Sequence, residues 1–400
     1  MTKSAASMSG LLQGAHQDHR TVVDLARELV QIPSRAGADS CGPVLDAMSD
    51  WLAGHGLEPQ LLTGPGGEAV ALVCEVGGGS GPRYVLDACL DTAPFGDETA
   101  WTHPALSGRI DQSWLHGRGS SDSKTGASIF AHIIARLAKA NLAGSLTLLF
   151  DLDEHIGGFG GARAYFEGPS APDQVAGVMI GYPGPDYLVT GGRGVLRADI
   201  SVHGVAGHSG GRAVTPNAIA KATQIVSALN EVVLPATAGP DFPLPARVTV
   251  TEITDGTGYT SVPDLCTLKI DVRLTPAFDA RAALALLDAI AAKADADWPG
   301  TRPTGVEITT CWPAYRLPDD SALKTTLLTA ARQAGLAPSA KIAGPSNIGN
   351  YLAGLGIAAT AGFGVDYEGL HGTDEKIRID SIPVIQAAYH QACLMLLTPA

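Results

Sequence analysis

No CxxC pair occurs among the six cysteines of this 400-residue chain, which are scattered from Cys41 to Cys393. That excludes a disulfide framework and reads as reduced thiols in a cytoplasm. No apolar run approaches the roughly 18 residues that span a bilayer, so no membrane role is expected. The opening stretch, MTKSAASMSGLLQGAHQDHR, lacks an uninterrupted apolar core and a small-residue cleavage site, so no secretory signal is read there. Residues 1–17 read as a disordered tail. Positive charge is scarce, with 27 Lys and Arg against 40 Asp and Glu and a net charge of −13. Phosphate binding needs a basic surface, so nucleic acid is excluded as a partner. What is present, 45% apolar and 17% charged residues, is an ordinary globular composition. The length exceeds what one hydrophobic core usually serves, which points to two domains.

Apolar spacing places a helix over 21–32, with Val22, Leu25, Leu29 and Val30 on one face and Pro33 as its stop. A second helix follows near 43–54, carrying Val44, Leu45, Met48 and Leu52. The runs 69–76, 83–88 and 145–152 suit buried strands, with a helix at 128–140 before the last. Such alternation implies a mostly parallel sheet covered on both faces, with functional groups at the carboxyl ends of its strands. From about residue 194 the rhythm changes to β-α-β-β-α-β: 195–204, 216–229, 247–253, 266–274, 279–294 and 305–311. That order is ferredoxin-like. The first rhythm then resumes with a helix near 320–335, an apolar run at 357–363 and a last helix at 381–397. The expected plan is a discontinuous α/β domain (18–193 and 312–400) with an inserted α+β domain (194–311).

Four segments put polar residues directly after apolar runs. In VLDACLDTAPFGD (85–97), Asp87 and Asp91 end a buried strand, where an unpaired carboxylate costs several kcal/mol; they are either site residues or turn aspartates. In LHGRGSSDSKTG (115–126), Asp122 precedes a helix and is either a ligand or an N-cap. In FDLDEHIGG (150–158), Asp153, Glu154 and His155 are costly after a strand unless they bind something. Adjacent side chains diverge, so one could hold a metal while its neighbour handles a proton. In EGLHGTDEKI (368–377), His371 opens a polar segment and by itself is as readily structural as a ligand.

Taken together, the order and spacing of these segments resemble the zinc amidohydrolase family of acetylornithine deacetylase, succinyl-diaminopimelate desuccinylase, aminoacylase and carboxypeptidase G. The counterparts of that family's motifs are DACLDTAP (87–94), the run 101–126 ending in GRGSSDSKTG, DEHIGG (153–158), IGYPG (180–184), AGHSG (206–210) and LHGTDE (370–375). The resemblance spans nearly the whole chain. It implies a zinc-exopeptidase-like α/β fold, a mostly parallel three-layer sheet domain with a ferredoxin-like lid through which two copies form a homodimer.

The resemblance also implies roles. The family holds two zinc ions about a bridging aspartate, here Asp122. One ion would add His155 and His371; the other would add Cys89 and Tyr182, where the family has histidine and a carboxylate. An Asp–His–His set with an open position is a good catalytic zinc site. A phenol must lose a proton from a pKa near ~10 to ligate, so Tyr182 reads instead as an oxyanion donor. One ion is therefore expected, zinc first, with cobalt or manganese as alternatives. Glu154 takes the general-base position, and Asp91 takes the position that orients the residue at 89. His208 matches a lid histidine that reaches a neighbouring subunit. Arg273 matches the arginine that grips a substrate carboxylate, and Thr260 and Asn347 fall at altered pocket positions. The expected activity is metal-dependent hydrolysis of an N-acyl amino acid or dipeptide-like amide. Two rivals stand beside it: a scaffold repurposed for acyl transfer, isomerisation or elimination, with Glu154 as base and Cys89 as nucleophile, and a non-catalytic binding protein with a decayed metal site.

Overall fold

The computed structural model describes residues 7–398 except 213, 237, 238, 240 and 257. Its centre is a nine-stranded mixed sheet. Ser145–Asp151, Arg83–Cys89, Gly177–Ile180 and Ala359–Gly362 lie side by side and parallel at its middle. The flanks are antiparallel: Ala69–Gly77 and Gln60–Thr63 on one side, Tyr187–Gly192 and Tyr315–Arg316 on the other, with Ser339–Ala343 parallel to Tyr187–Gly192. The parallel centre is the part that helix–strand alternation foretells. At one edge the connection between Gln60–Thr63 and Ala69–Gly77 is too short for a parallel crossover, so that pair is antiparallel.

Side chains along a strand alternate between faces, and the two faces have separate cores. Leu86, Ala88, Leu146, Leu148 and Phe150 pack with residues of the helices Met8–Gln31, Gly42–Gly54, Thr125–Leu137, Ala322–Gln333 and Ile382–Leu397. Val85, Leu149, Val178 and Ile180 pack on the other side with Ala162 and Tyr165 of Gly160–Phe166 and Ile348 and Leu352 of Ile348–Gly354. Fully buried leucines such as Leu29, Leu45 and Leu148 each contribute roughly 1.5–3 kcal/mol by leaving water.

The expected disordered tail over 1–17 needs correction. Residues 1–6 lie outside the described residues, but from Met8 the chain is already helical, continuous to Gln31. Ser7 caps it, its hydroxyl accepting from the Gly10 amide. Leu11 and Ala15 pack against Ala387. Asp18 receives Arg136 and Gln386. These anchors lie more than a hundred residues along the chain, so the local pattern does not show them.

The ferredoxin-like sandwich is a separate four-stranded antiparallel sheet in the order Arg247–Thr254, Leu265–Leu274, Gly194–His203, Gly305–Trp312. The alternate residues Cys266, Leu268, Ile270, Val272 and Leu274 face the helices Ala218–Glu231 and Ala280–Asp297. The opposite face carries Arg197, Asp199, Lys269 and Asp271. Among the described residues no helix is long and apolar enough to cross a membrane.

Candidate metal centre

Two loops at the carboxyl ends of central strands and two loops outside the central sheet build the site. Arg83–Cys89 delivers Cys89 and, two residues on, Asp91. Ser145–Asp151 delivers Glu154 and His155. The turn after Trp114–His116 delivers Asp122 just before Thr125–Leu137. The turn is tight. Gly119 has φ +83°, and a Cβ there would sit 2.6 Å from the Thr92 methyl, so only glycine fits. His371 arrives from the loop before Lys376–Arg378. Asp153 (φ 77°) and His371 (φ 58°) both adopt left-handed backbone, a conformation that persists where the surroundings enforce it.

Asp122 is the hub. Its Oδ2 lies 2.9 Å from His371 Nε2 and 3.7 Å from His155 Nε2, and the ligand atoms of the three residues all fall within 4.8 Å of one another. Nitrogen and oxygen donors around one tetrahedral zinc stand about 3.3 Å apart, so these spacings fit a single ion. Asp122 Oδ1 receives the Ser123 hydroxyl (2.8 Å) and the Cys89 thiol (3.8 Å).

Asp91 has a partner other than the expected one. Residue 89 has no imidazole to orient, and Asp91 turns to His155: its Oδ2 lies 3.1 Å from Nδ1 and accepts the His155 amide at 3.0 Å, while Oδ1 accepts the Glu154 amide at 3.3 Å. One carboxylate thus leaves His155 Nε2 facing Asp122 and also fixes the backbone of Glu154. An imidazole backed by a carboxylate is the usual arrangement of a metal-binding histidine.

The electrostatics separate the two halves of the cluster. Burial alone would lower the His155 pKa, but hydrogen bonds donated to Asp122 and Asp91 override it and push it up to about 11. Burial disfavours the Asp122 carboxylate, yet hydrogen bonds from His155 and His371 hold its pKa well below the usual range. Glu154 is pushed up to about 8 by burial, then by Asp122 and Asp151. Cys89 is 1% exposed; burial, with Glu154 and Asp122 close by, drives its thiol well above the ordinary value. The Tyr182 phenol is driven up likewise, by burial and then Asp122 and Glu154. Cys89, Asp91 and His155 also converge within 4.8 Å, but Asp91 and His155 are already committed to each other. Burial amid these carboxylates favours the neutral thiol of Cys89 and the neutral phenol of Tyr182.

The remaining expected residues lie elsewhere. His208 is exposed, its Nδ1 accepting the Gly210 amide, and pairs across a short ladder with Ser261, beside Thr260, whose carbonyl accepts the Ser209 amide. Among the described residues no hydrogen bond or ion pair links His208 to Asp122, Glu154 or His371. Arg273 has its guanidinium fork on Asp271 (2.7 and 3.2 Å), with Nη1 3.4 Å from Ser346 Oγ. Asn347 caps Ile348–Gly354, accepting the Gly349 amide at 2.9 Å.

Sequence reasoning missed three buried charges around the centre. Lys124 donates to the carbonyls of Leu29 (2.8 Å) and Ile32 (2.9 Å), closing the end of the first helix. Arg118 and Glu375 form a buried pair at 2.5 Å. All three lie inside the motifs GRGSSDSK and LHGTDE, so the available signal was a charge within a segment that had to be buried.

The model of peptidase family M20/M25/M40 matches residues 85–395. A succinyl-diaminopimelate desuccinylase of Hydrogenovibrio crunogenus is 25% identical over 391 residues, covering 94% of this chain and 98% of that protein. Among solved structures, an M20 family metallo-carboxypeptidase from Sulfolobus solfataricus superposes with a TM-score of 0.75 at 18% identity, covering 94% of this chain and 98% of that one. A dinuclear metal binding peptidase of the same family from Bacillus subtilis gives 0.70 at 18% identity, covering 96% and 99%.

Proposed function

Since the chain belongs to peptidase family M20/M25/M40 and is a metal-dependent hydrolase, we propose that it cleaves the amide bond of an N-acyl amino acid or small dipeptide-like substrate using one metal ion. The observation that carries this is the convergence of Asp122, His155 and His371 beside Glu154. Asp122, His155 and His371 would hold the ion, zinc by donor type, with cobalt or manganese as substitutes. When bound, such an ion supplies Lewis acidity that polarises the scissile carbonyl and acidifies water.

The chain's own groups do the rest. Glu154 takes the proton of the attacking water and passes it to the departing amine; a carboxyl raised to about 8 is suited to both halves of that exchange. Tyr182 keeps its proton because burial forbids phenolate, so it donates a hydrogen bond to the oxygen that gains charge. Cys89 stays a thiol against Asp122 and is neither nucleophile nor second-ion ligand. Arg273 receives a substrate carboxylate by exchanging it for Asp271, with Asn347 next to its neighbour Ser346, while Thr260 acts from beside His208. His208 acts across a homodimer formed through the sandwich of residues 194–311, in a cytoplasmic enzyme.

The test is a panel of N-acyl amino acids and dipeptides presented to chelator-treated protein before and after Zn2+ is restored. Hydrolysis that vanishes with chelation and returns with metal is expected. Metal-loaded protein inert across the panel would remove the hydrolytic reading and leave the repurposed or binding alternatives.

A further inference from the structure

Two of the three proposed metal donors lie on segments 249 residues apart in sequence, yet their ligand atoms must meet to within a few tenths of an ångström. A buried ion pair outside the donor set joins those segments. Arg118 is 2% exposed and Glu375 fully buried, with Nη1 2.5 Å from Oε2. From the Asp122 side, Arg118 Nη2 donates to the carbonyls of His371 (3.2 Å) and Gly372 (3.0 Å). From the His371 side, Glu375 Oε1 accepts the amides of Gly119 (3.0 Å) and Ser121 (2.9 Å) and the Ser121 hydroxyl (2.7 Å). Each partner therefore grips the backbone of the other's segment. The Trp101 ring covers the guanidinium at 5.3 Å.

We propose that Arg118 and Glu375 are positioning residues of the metal centre: the pair sets the separation of Asp122 from His371 and so governs metal affinity and coordination geometry. The inference rests on the reading that Asp122 and His371 hold the ion. A plain stabilising ion pair is the alternative. It explains less, because a buried pair is rarely better for stability than apolar side chains of similar volume. It also leaves unexplained why every further bond of this pair goes to a ligand-bearing segment. Arg118 holds the carbonyl of His371 itself, a residue in left-handed backbone. Glu375 holds the amide next to Asp122.

The experiment compares wild type with the double variant Arg118→Met/Glu375→Met and with Arg118→Lys. The first removes both charges together. The second keeps a charge on Glu375 but cannot fork onto the two carbonyls. Three quantities are read: the Zn2+ Kd by competition with a chromophoric chelator, the absorption bands of the Co2+-loaded protein, and the melting temperature of the chelator-treated protein. Affinity is expected to fall ~10–100-fold, as for other outer partners of metal ligands. The Co2+ bands should shift, and the metal-free melting temperature should stay near wild type in Arg118→Lys. Wild-type affinity and an unchanged Co2+ spectrum in a folded variant would overturn the proposal. If the double variant does not fold, Arg118→Lys decides alone by the same criteria. Wild-type protein that binds no Zn2+ would instead sink the metal reading on which the inference rests.

Discussion

Replacing Asp91 by asparagine isolates the partnership that distinguishes this centre. The carboxylate accepts from the Glu154 amide at 3.3 Å and the His155 amide at 3.0 Å, and lies 3.1 Å from His155 Nδ1. Asparagine keeps the shape but offers only one oxygen, so its NH2 must face a group that is itself a donor. The loss is one charge-assisted hydrogen bond, about 1.5–3 kcal/mol. At 1.4 kcal/mol per decade that is a ~10–150-fold weaker Zn2+ Kd. The assay is chelator competition on Asp91→Asn, with circular dichroism to establish folding. Because Asp91 also fixes the Glu154 backbone, kcat of the metal-saturated variant should fall as well. A folded variant whose Kd lies within twofold of wild type would refute the idea that Asp91 orients His155 for metal.

Glu154→Gln should lower kcat by ~10²–10⁴ while leaving the bound metal per chain unchanged; a loss below tenfold would move the proton work elsewhere. A pH effect far from the centre follows from His132, which is buried against Trp51, with Nδ1 2.8 Å from the Ser128 carbonyl oxygen. Burial lowers its pKa from 6.5 to about 4, so between those values the unfolded chain binds a proton that the native state refuses. Its contribution is full above pH 6.5 and drains as pH falls toward 4. Between pH 7 and 4.5, wild type should lose about 2 kcal/mol more stability than His132→Gln in urea titrations. Parallel loss in both proteins would show that His132 is protonated in the native state.

What could be read in the sequence divides along physical lines. The helix carrying Val44, Leu45, Met48 and Leu52 was legible because burial of one face imposes a period, and the strands at 69–77, 83–89 and 145–151 because burial inside the sheet leaves near-continuous apolar runs. The helical stretch from Met8 to Arg20 was not, since its anchors, Arg136, Gln386 and Ala387, lie more than a hundred residues away. Motif order points to Asp122, Glu154, His155 and His371 as one site, and the ligand atoms of Asp122, His155 and His371 lie within 4.8 Å of one another. The partner of Asp91 is not legible from motif position, because position 89 holds no imidazole and the bond goes to the imidazole at 155. Glu375 was visible only as half of an acidic pair. Nothing local says that Asp374 turns to Thr102 at the surface while Glu375 is sealed against Arg118.

The number of metal ions per chain tests the centre most directly. Protein dialysed against Zn2+-limited buffer, with metal measured by plasma mass spectrometry and chains by amino-acid analysis, is expected to carry one equivalent, lost on His371→Ala. Two equivalents, with the second lost on Cys89→Ala, would contradict the single-ion centre and return Cys89 and Tyr182 to the ligand set. No bound metal would contradict it altogether.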